Sequence, residues 1–147
     1  MYEMSNEVCS ILPLEKPRYL MGVGTPSNIL ENIALGVDMF DCVIPTRNGR
    51  NGQLFTFNGK INIKNAKYKN DHTPIDSSGI CDLSSNYSKS YLHHLYKTNE
   101  ILGYRIASQH NLSFYIRIMS DIRDAIKKDN FQNFANLFLQ KYENKNL

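Results

Sequence analysis

Two carboxylates, Asp38 and Asp41, stand inside the apolar run Val37-Asp-Met-Phe-Asp-Cys-Val-Ile44. An unpaired carboxylate is costly to bury, so at least one of them must lie at a strand end or have a partner. Arg47 and Arg50, two of only six arginines, follow on either side of Asn48-Gly49. A glycine-rich basic loop of this kind can offer backbone N–H groups and two planar donors to an anion such as a phosphate backbone. The same residues also make an ordinary solvated turn. At the carboxyl end of a parallel strand, where α/β folds build their ligand face, Asp41 can act as nucleophile, base or metal ligand. It can equally pair with a neighbouring arginine and hold the loop. Asp38 is assigned to the helix layer or to a helix cap.

The remaining chemistry-bearing residues are less specific. Gly22-Val-Gly24 lacks the third glycine of a dinucleotide fingerprint, Ser27 falling in its place, and no P-loop lysine follows. His93 and His94 are neighbours on a helix, pointing about 100° apart, so one is expected to pack and the other to face solvent. Cys81 and His110 have 28 residues between them. Two soft ligands alone do not complete the tetrahedral site that zinc prefers.

The elements that must position these groups follow from punctuation and period. Residues 1–18 read as the end of a helix and a connector. Tyr19 to Gly24 reads as a buried strand, Thr25-Pro26 as a helix start, and Val37 to Ile44 as a second buried strand ended by Pro45. Together they predict a β-α-β unit with parallel strands. Thr46 to Gly52 is read as a loop. Leu54 to Phe57 and Lys60 to Ile63 are predicted to form a hairpin with a type I′ turn at Asn58-Gly59. Residues 64–87 read as loop. Three helical stretches follow, one stopped at Gly103, one over Ile106 to Ile126 and one around Phe131 to Phe138.

Composition narrows the class. The chain has 147 residues and a net charge of +3, ordinary values for one globular domain with a mild cationic excess. A complete TIM barrel takes roughly 250 residues, so any barrel likeness can extend only to part of one. Three unpaired cysteines, Cys9, Cys42 and Cys81, and a start without a basic or apolar leader pattern lead to a cytosolic expectation. The longest apolar run, Ile33 to Val43, is broken by Gly36, Asp38 and Asp41 and is too short to cross a bilayer.

Tyr19-Leu-Met-Gly-Val-Gly-Thr-Pro26, the long string Gly36 to Gly52 around Asp41, Asn62-Ile-Lys-Asn-Ala-Lys-Tyr68, Glu100-Ile-Leu-Gly103 and His110-Asn-Leu112 together closely resemble the bacterial tRNA-guanine transglycosylases. The resemblance runs over essentially the whole chain and corresponds to the C-terminal portion of the family. It implies an α/β fold, the last β/α units of a modified TIM barrel with an inserted hairpin over residues 1–63, and a helical subdomain of the zinc type over residues 64–147. It implies exchange of guanine for a 7-deazaguanine precursor of queuosine at the tRNA wobble position, in the cytoplasm. Asp41 matches the family nucleophile, which forms a covalent ribosyl intermediate. Gly22, Val23, Gly24, Thr25, Pro26, Ser27 and Asn28 match one RNA-contacting stretch. Thr46, Arg47, Asn48, Gly49 and Arg50 match the segment that recognises the wobble region. Tyr19 and Met21 match positions lining the base pocket. The family's zinc ligands fall here on Gly79, Cys81, Ser84 and His110, two of them no longer thiols, so a bound zinc is not expected. The resemblance further implies tRNA as partner, a homodimer, and a separate N-terminal piece to complete the barrel. The readings that compete with catalysis are a tRNA-binding or dimerisation module without activity, and an inactive remnant.

Overall fold

Residues 1–143 are described by a computed structural model, in which contacts separate a unit of residues 1–44 from a second beginning at Pro45. In the first, helix α1 (Tyr2–Ile11) buries only Ser5 and Cys9, while Met4, Val8 and Ile11 stay exposed. Strand β1 (Tyr19–Leu20) pairs in parallel with β2 (Met39–Phe40), in the register Tyr19 to Met39 and Leu20 to Phe40. Helix α2 (Pro26–Ala34) connects them, with Thr25 as its N-cap accepting from the Asn28 amide and Pro26 in the first turn. Its inner face is Ile29 and Leu30.

The β-α-β unit is therefore present, but its strands differ from the expected ones. Each is two residues long, and Tyr19 and Met39 are about half exposed, at 52% and 51%. A parallel strand becomes buried when strands lie on both sides of it and helices cover both faces. Among the described residues these two have only each other.

Ile44–Arg50, whose residues from Pro45 on open the second unit, is helix α3 and not a loop. Pro45 opens this helix, where its missing N–H costs nothing, instead of closing a strand. The hairpin is present as β3 (Gln53–Thr56) and β4 (Gly59–Asn62), antiparallel. Its turn is displaced by one residue. Thr56 pairs with Gly59, so Phe57 and Asn58 are the central pair, and neither has positive φ as a type I′ turn requires. The positive φ, +103°, falls on Gly59.

The segment expected to be loop contains a 3-10 turn (Ala66–Tyr68) and helix α4 (Asp82–Asn86). Helix α5 (Lys89–Lys97) is capped by Ser88, α6 runs over Ile101–Lys127, and α7 over Phe131–Glu143. Gly103 lies inside α6 and does not stop a helix; the break comes before it, at Asn99, with φ +56°. A Cβ on Gly103 would sit 3.0 Å from that of Leu95, so this glycine permits close packing of α6 on α5. The core of this unit joins Leu54, Ile63, Leu92, Leu95, Tyr96 and Ile106. A second, aromatic cluster joins Phe55, Phe57, Phe114 and Phe138. No helix among the described residues is long and apolar enough to cross a membrane.

Candidate functional site

Parallel pairing of Tyr19 with Met39 carries the chain two residues on to Asp41 just beyond the end of β2. The Tyr19 hydroxyl donates to Asp41 Oδ1 at 2.8 Å, and the Gly22 amide donates to the same oxygen at 3.0 Å. These bonds stabilise the charged form, with the Tyr19 phenol the larger influence, and hold the carboxyl below its ordinary pKa. The same bond raises the Tyr19 pKa, so the phenol stays a donor. Asp41 is thus an exposed, ionised carboxylate with one oxygen fixed by two donors. Asp38 is neither a helix cap nor buried under the helix layer. It is exposed and accepts from the Arg18 amide at 2.8 Å, at the entrance to β1.

The other expected residues of this unit form the connection from β1 into α2. Met21, next in the chain to Gly22, is 73% exposed, and Tyr19, whose hydroxyl bonds the carboxylate, is 52% exposed. Gly22 and Val23 lead to Gly24, which is buried and receives the Cys42 thiol on its carbonyl at 3.7 Å. Thr25, Pro26, Ser27 and Asn28 make the first turn of α2 and its cap, and Asn28 Nδ2 donates to the Tyr2 hydroxyl at 2.6 Å.

Thr46 to Arg50 belongs to the second unit, where α3 presents Arg47 and Arg50. Three residues apart, the two arginines share one side of the helix, and both are exposed. They lie in its last turn, where cations complement the negative end of the helix dipole. Asn48 turns to Gln53, its Nδ2 donating to Oε1 at 2.7 Å. Gly49 faces α6 so closely that a Cβ would come within 2.9 Å of the Ser108 backbone nitrogen.

Two residues that sequence reasoning did not single out hold α3 in place. The buried Tyr96 donates its hydroxyl to the Gly49 carbonyl. Asn111, 0% exposed, donates to the Pro45 carbonyl at 2.8 Å and the Gln53 carbonyl at 3.0 Å, and accepts from the Phe55 amide at 3.0 Å. Its neighbour His110 donates from Nε2 to the Phe55 carbonyl at 2.7 Å. The adjacent pair therefore satisfies both main-chain groups of one strand residue. The signal in the sequence was a polar dipeptide, His110-Asn111, inside an apolar helical pattern.

The metal-type positions do not make a metal site. Cys81, Ser84 and His110 are buried, but the Ser84 hydroxyl donates to the Cys81 carbonyl at 2.9 Å, and Gly79 is exposed. His110 Nδ1 is buried without a hydrogen-bond partner, and burial lowers the pKa of the ring. Among the described residues, no three His, Cys, Asp or Glu side chains gather where they could hold an ion. One thiol and one imidazole do not supply the four ligands of a structural zinc. His93 packs with Nδ1 donating to the Ile63 carbonyl at 2.7 Å, and His94 is exposed, as expected.

Comparison with known proteins shows the family of the chain. The family model described as queuine tRNA-ribosyltransferase matches residues 1–144. Among curated proteins, the queuine tRNA-ribosyltransferase of Helicobacter pylori (strain HPAG1) is 53% identical over 145 residues, 99% of this chain and 39% of the relative. That of Vibrio atlanticus (strain LGP32) is 56% identical over 135 residues, 92% of this chain and 36% of the relative. That of Helicobacter acinonychis (strain Sheeba) is 54% identical over 142 residues, 97% and 38%. The chain thus spans about two fifths of the length of the relatives it matches. With nearly every residue inside the family model, the chain belongs to the queuine tRNA-ribosyltransferase family.

Proposed function

We propose that this chain is the C-terminal part of a tRNA-guanine transglycosylase of queuosine biosynthesis, acting in the cytoplasm through a covalent intermediate on Asp41. The observation that carries the reading is the setting of that carboxylate, ionised and exposed, with Oδ1 held by Tyr19 and Gly22. Fixing one oxygen orients the carboxylate plane and leaves Oδ2 to attack. A lone pair on Oδ2 forms a bond to the ribose C1′ of the wobble nucleotide as the C1′–N9 bond breaks, and guanine departs with that electron pair and takes up a proton. The incoming 7-deazaguanine base, giving up its own proton, then attacks C1′ and returns the pair to Asp41. Two displacements at one carbon retain its configuration. Tyr19 and Met21 offer the ring face and polarizable sulfur against which a purine-like base stacks. Gly22 to Asn28 and Thr46 to Arg50 hold the RNA, Arg47 and Arg50 on its phosphates.

In this reading residues 1–63 supply the last β/α units of the barrel and the RNA segment, and residues 64–147 a helical subdomain. The proton donor and the groups that read the base belong to the part of the family's barrel that residues 1–147 do not span. The edges of β1 and β2 left unpaired among the described residues, and the apolar cleft of about 210 Å³ between α1 and the strand residues Tyr19 and Leu20, favour completion of this sheet by further barrel strands. Family-type homodimerisation is a further part of the proposal.

One observation favours a second reading, a tRNA-binding module without activity: Gly79 and Ser84 stand where family thiols stand, so this subdomain has departed from the family pattern. Guanine exchange into unmodified tRNA, measured with and without the co-expressed remainder of a relative, separates the two. Exchange only in the presence of the remainder, lost in Asp41→Asn, supports the transglycosylase. Salt-sensitive tRNA binding with no exchange in either case supports the module.

A further inference from the structure

The segment from Gly22 to Asn28 is fixed along its length. At its start the Gly22 amide donates to Asp41 Oδ1 at 3.0 Å, and in its middle the Gly24 carbonyl receives the Cys42 thiol at 3.7 Å. At its end stands Asn28, each of whose four polar groups has a partner inside the first unit. The main-chain amide donates to Thr25 Oγ1 at 3.2 Å, and the main-chain carbonyl accepts from Nδ2 of the buried Asn32 at 2.7 Å. In the side chain, Oδ1 accepts from the Thr25 hydroxyl at 2.5 Å and Nδ2 donates to the Tyr2 hydroxyl at 2.6 Å. An amide with its oxygen turned to one partner and its nitrogen to another cannot flip without breaking both bonds.

Of these partners of Asn28, only Tyr2 lies outside α2 and its cap. It is the first residue of α1, 26 positions away in the sequence, and α1 buries just Ser5 and Cys9. A helix packed through so few side chains gains little orientation from apolar contact, so a polar bond at its first residue matters to how it sits on α2. Hydrogen bonding to the exposed Glu31 of α2 raises the Tyr2 pKa, so the phenol stays protonated through the neutral range. One hydroxyl thus donates to Glu31 and accepts from Asn28, two positions a single helical turn apart. A phenylalanine would fill the same place and make neither bond.

We propose that Tyr2 is a positioning residue for the segment Gly22 to Asn28, holding the Asn28 amide as a bracket across the first turn of α2. The inference rests on the tRNA reading above and deepens it. In that reading the segment holds RNA; here Asn28 serves it by fixing the shape of the helix start through Thr25, with α1 as the anchor. The bracket and the Gly22 bond to Asp41 lie at opposite ends of one seven-residue stretch, so the RNA segment and the carboxylate are set in one frame. Groups held in place before binding lose less freedom when the ligand arrives, which raises affinity without a new contact.

The test is the affinity of the full chain for unmodified tRNA at fixed salt, in wild type, Tyr2→Phe, Asn28→Ala and the double variant, each measured well below its own melting transition. Loss of one polar contact corresponds to a rise of about three- to tenfold in Kd, expected in both single variants. Because the two residues act as one device, the double variant should bind as Asn28→Ala does instead of losing affinity twice. In the chain joined to the co-expressed remainder of a relative, Tyr2→Phe is expected to raise KM for tRNA and to keep kcat, a split that loss of folded protein would not produce. Wild-type affinity in Tyr2→Phe with a loss only in Asn28→Ala would make Asn28 a direct RNA contact and overturn the bracket. Additive losses in the double variant, or a fall in kcat at constant KM, also overturn it, and all three outcomes leave the tRNA reading standing. A wild-type chain that binds no tRNA, alone or joined, overturns both.

Discussion

At the scale of single residues, the chemistry concentrates on Asp41 and the phenol beside it. The carboxylate was legible because a charged residue inside an apolar run demands an explanation. The Tyr19 hydroxyl was not, because 22 residues separate the two and only parallel register brings them within 2.8 Å. The resemblance implies only that Tyr19 lines the base pocket; its hydroxyl also orients the Asp41 carboxylate. Because Tyr19 and Gly22 lower the Asp41 pKa, the carboxylate stays ionised to lower pH than an ordinary aspartate. In Tyr19→Phe the titration midpoint of Asp41 is expected to rise toward the ordinary value, and in the completed enzyme the acid limb of the rate profile should move up with it. Carbon-13 NMR of the labelled carboxyl checks the shift, and an unchanged midpoint would show that the phenol does not act on Asp41. His110 makes stability depend on pH through burial instead of through a hydrogen bond to its charged form. Its buried ring resists the proton that the unfolded imidazole takes up near pH 6.5, so stability is full above that pH and falls below it. In His110→Gln the loss of melting temperature between pH 7 and pH 5 should shrink.

At the scale of elements, the main surprise is α3. Thr46-Arg-Asn-Gly-Arg has two weak helix formers at its centre and reads as a loop by propensity. What makes it a helix is tertiary: α6 lies against Gly49, Tyr96 bonds the Gly49 carbonyl, and Asn111 bonds the Pro45 carbonyl. None of these partners is near in sequence, so no local pattern could announce them. The hairpin was legible because its turn residues and alternation are local, yet the turn was misplaced by one position. Gly103 illustrates the same limit, since a glycine that stops a helix and one that lets two helices touch look alike in a sequence. Two substitutions test the clamp. Asn111→Ala strands three main-chain groups in the interior and is expected to cost about 3 kcal/mol in urea unfolding. Gly49→Ala forces a methyl against the α6 backbone, expected to cost about 1–3 kcal/mol, and should weaken tRNA binding by shifting Arg47 and Arg50. Stability unchanged in both would mean that α3 does not depend on α6.

At the scale of the whole chain, the β-α-β unit, the hairpin and the helical second half were readable from period and punctuation, whereas the length of the strands was not. A strand's extent depends on its neighbours in the sheet, and β1 and β2 have only each other among the described residues. The helical half is held by its apolar core and by the paired bonds of His110 and Asn111 to Phe55, without a gathered set of metal ligands. Its melting temperature is therefore expected to be the same in EDTA and in added zinc; a chelator-induced fall would contradict this account of the subdomain. The central claim is that Asp41 becomes covalently attached to the ribose of the wobble nucleotide. The most direct measurement joins this chain with the co-expressed remainder of a relative, adds unmodified tRNA without an incoming base, and maps any denaturant-stable protein–RNA adduct by mass spectrometry. An adduct on Asp41, absent in Asp41→Asn, is the expected result. Guanine exchange by the joined pieces with no adduct on Asp41, or with activity retained in Asp41→Asn, would contradict it.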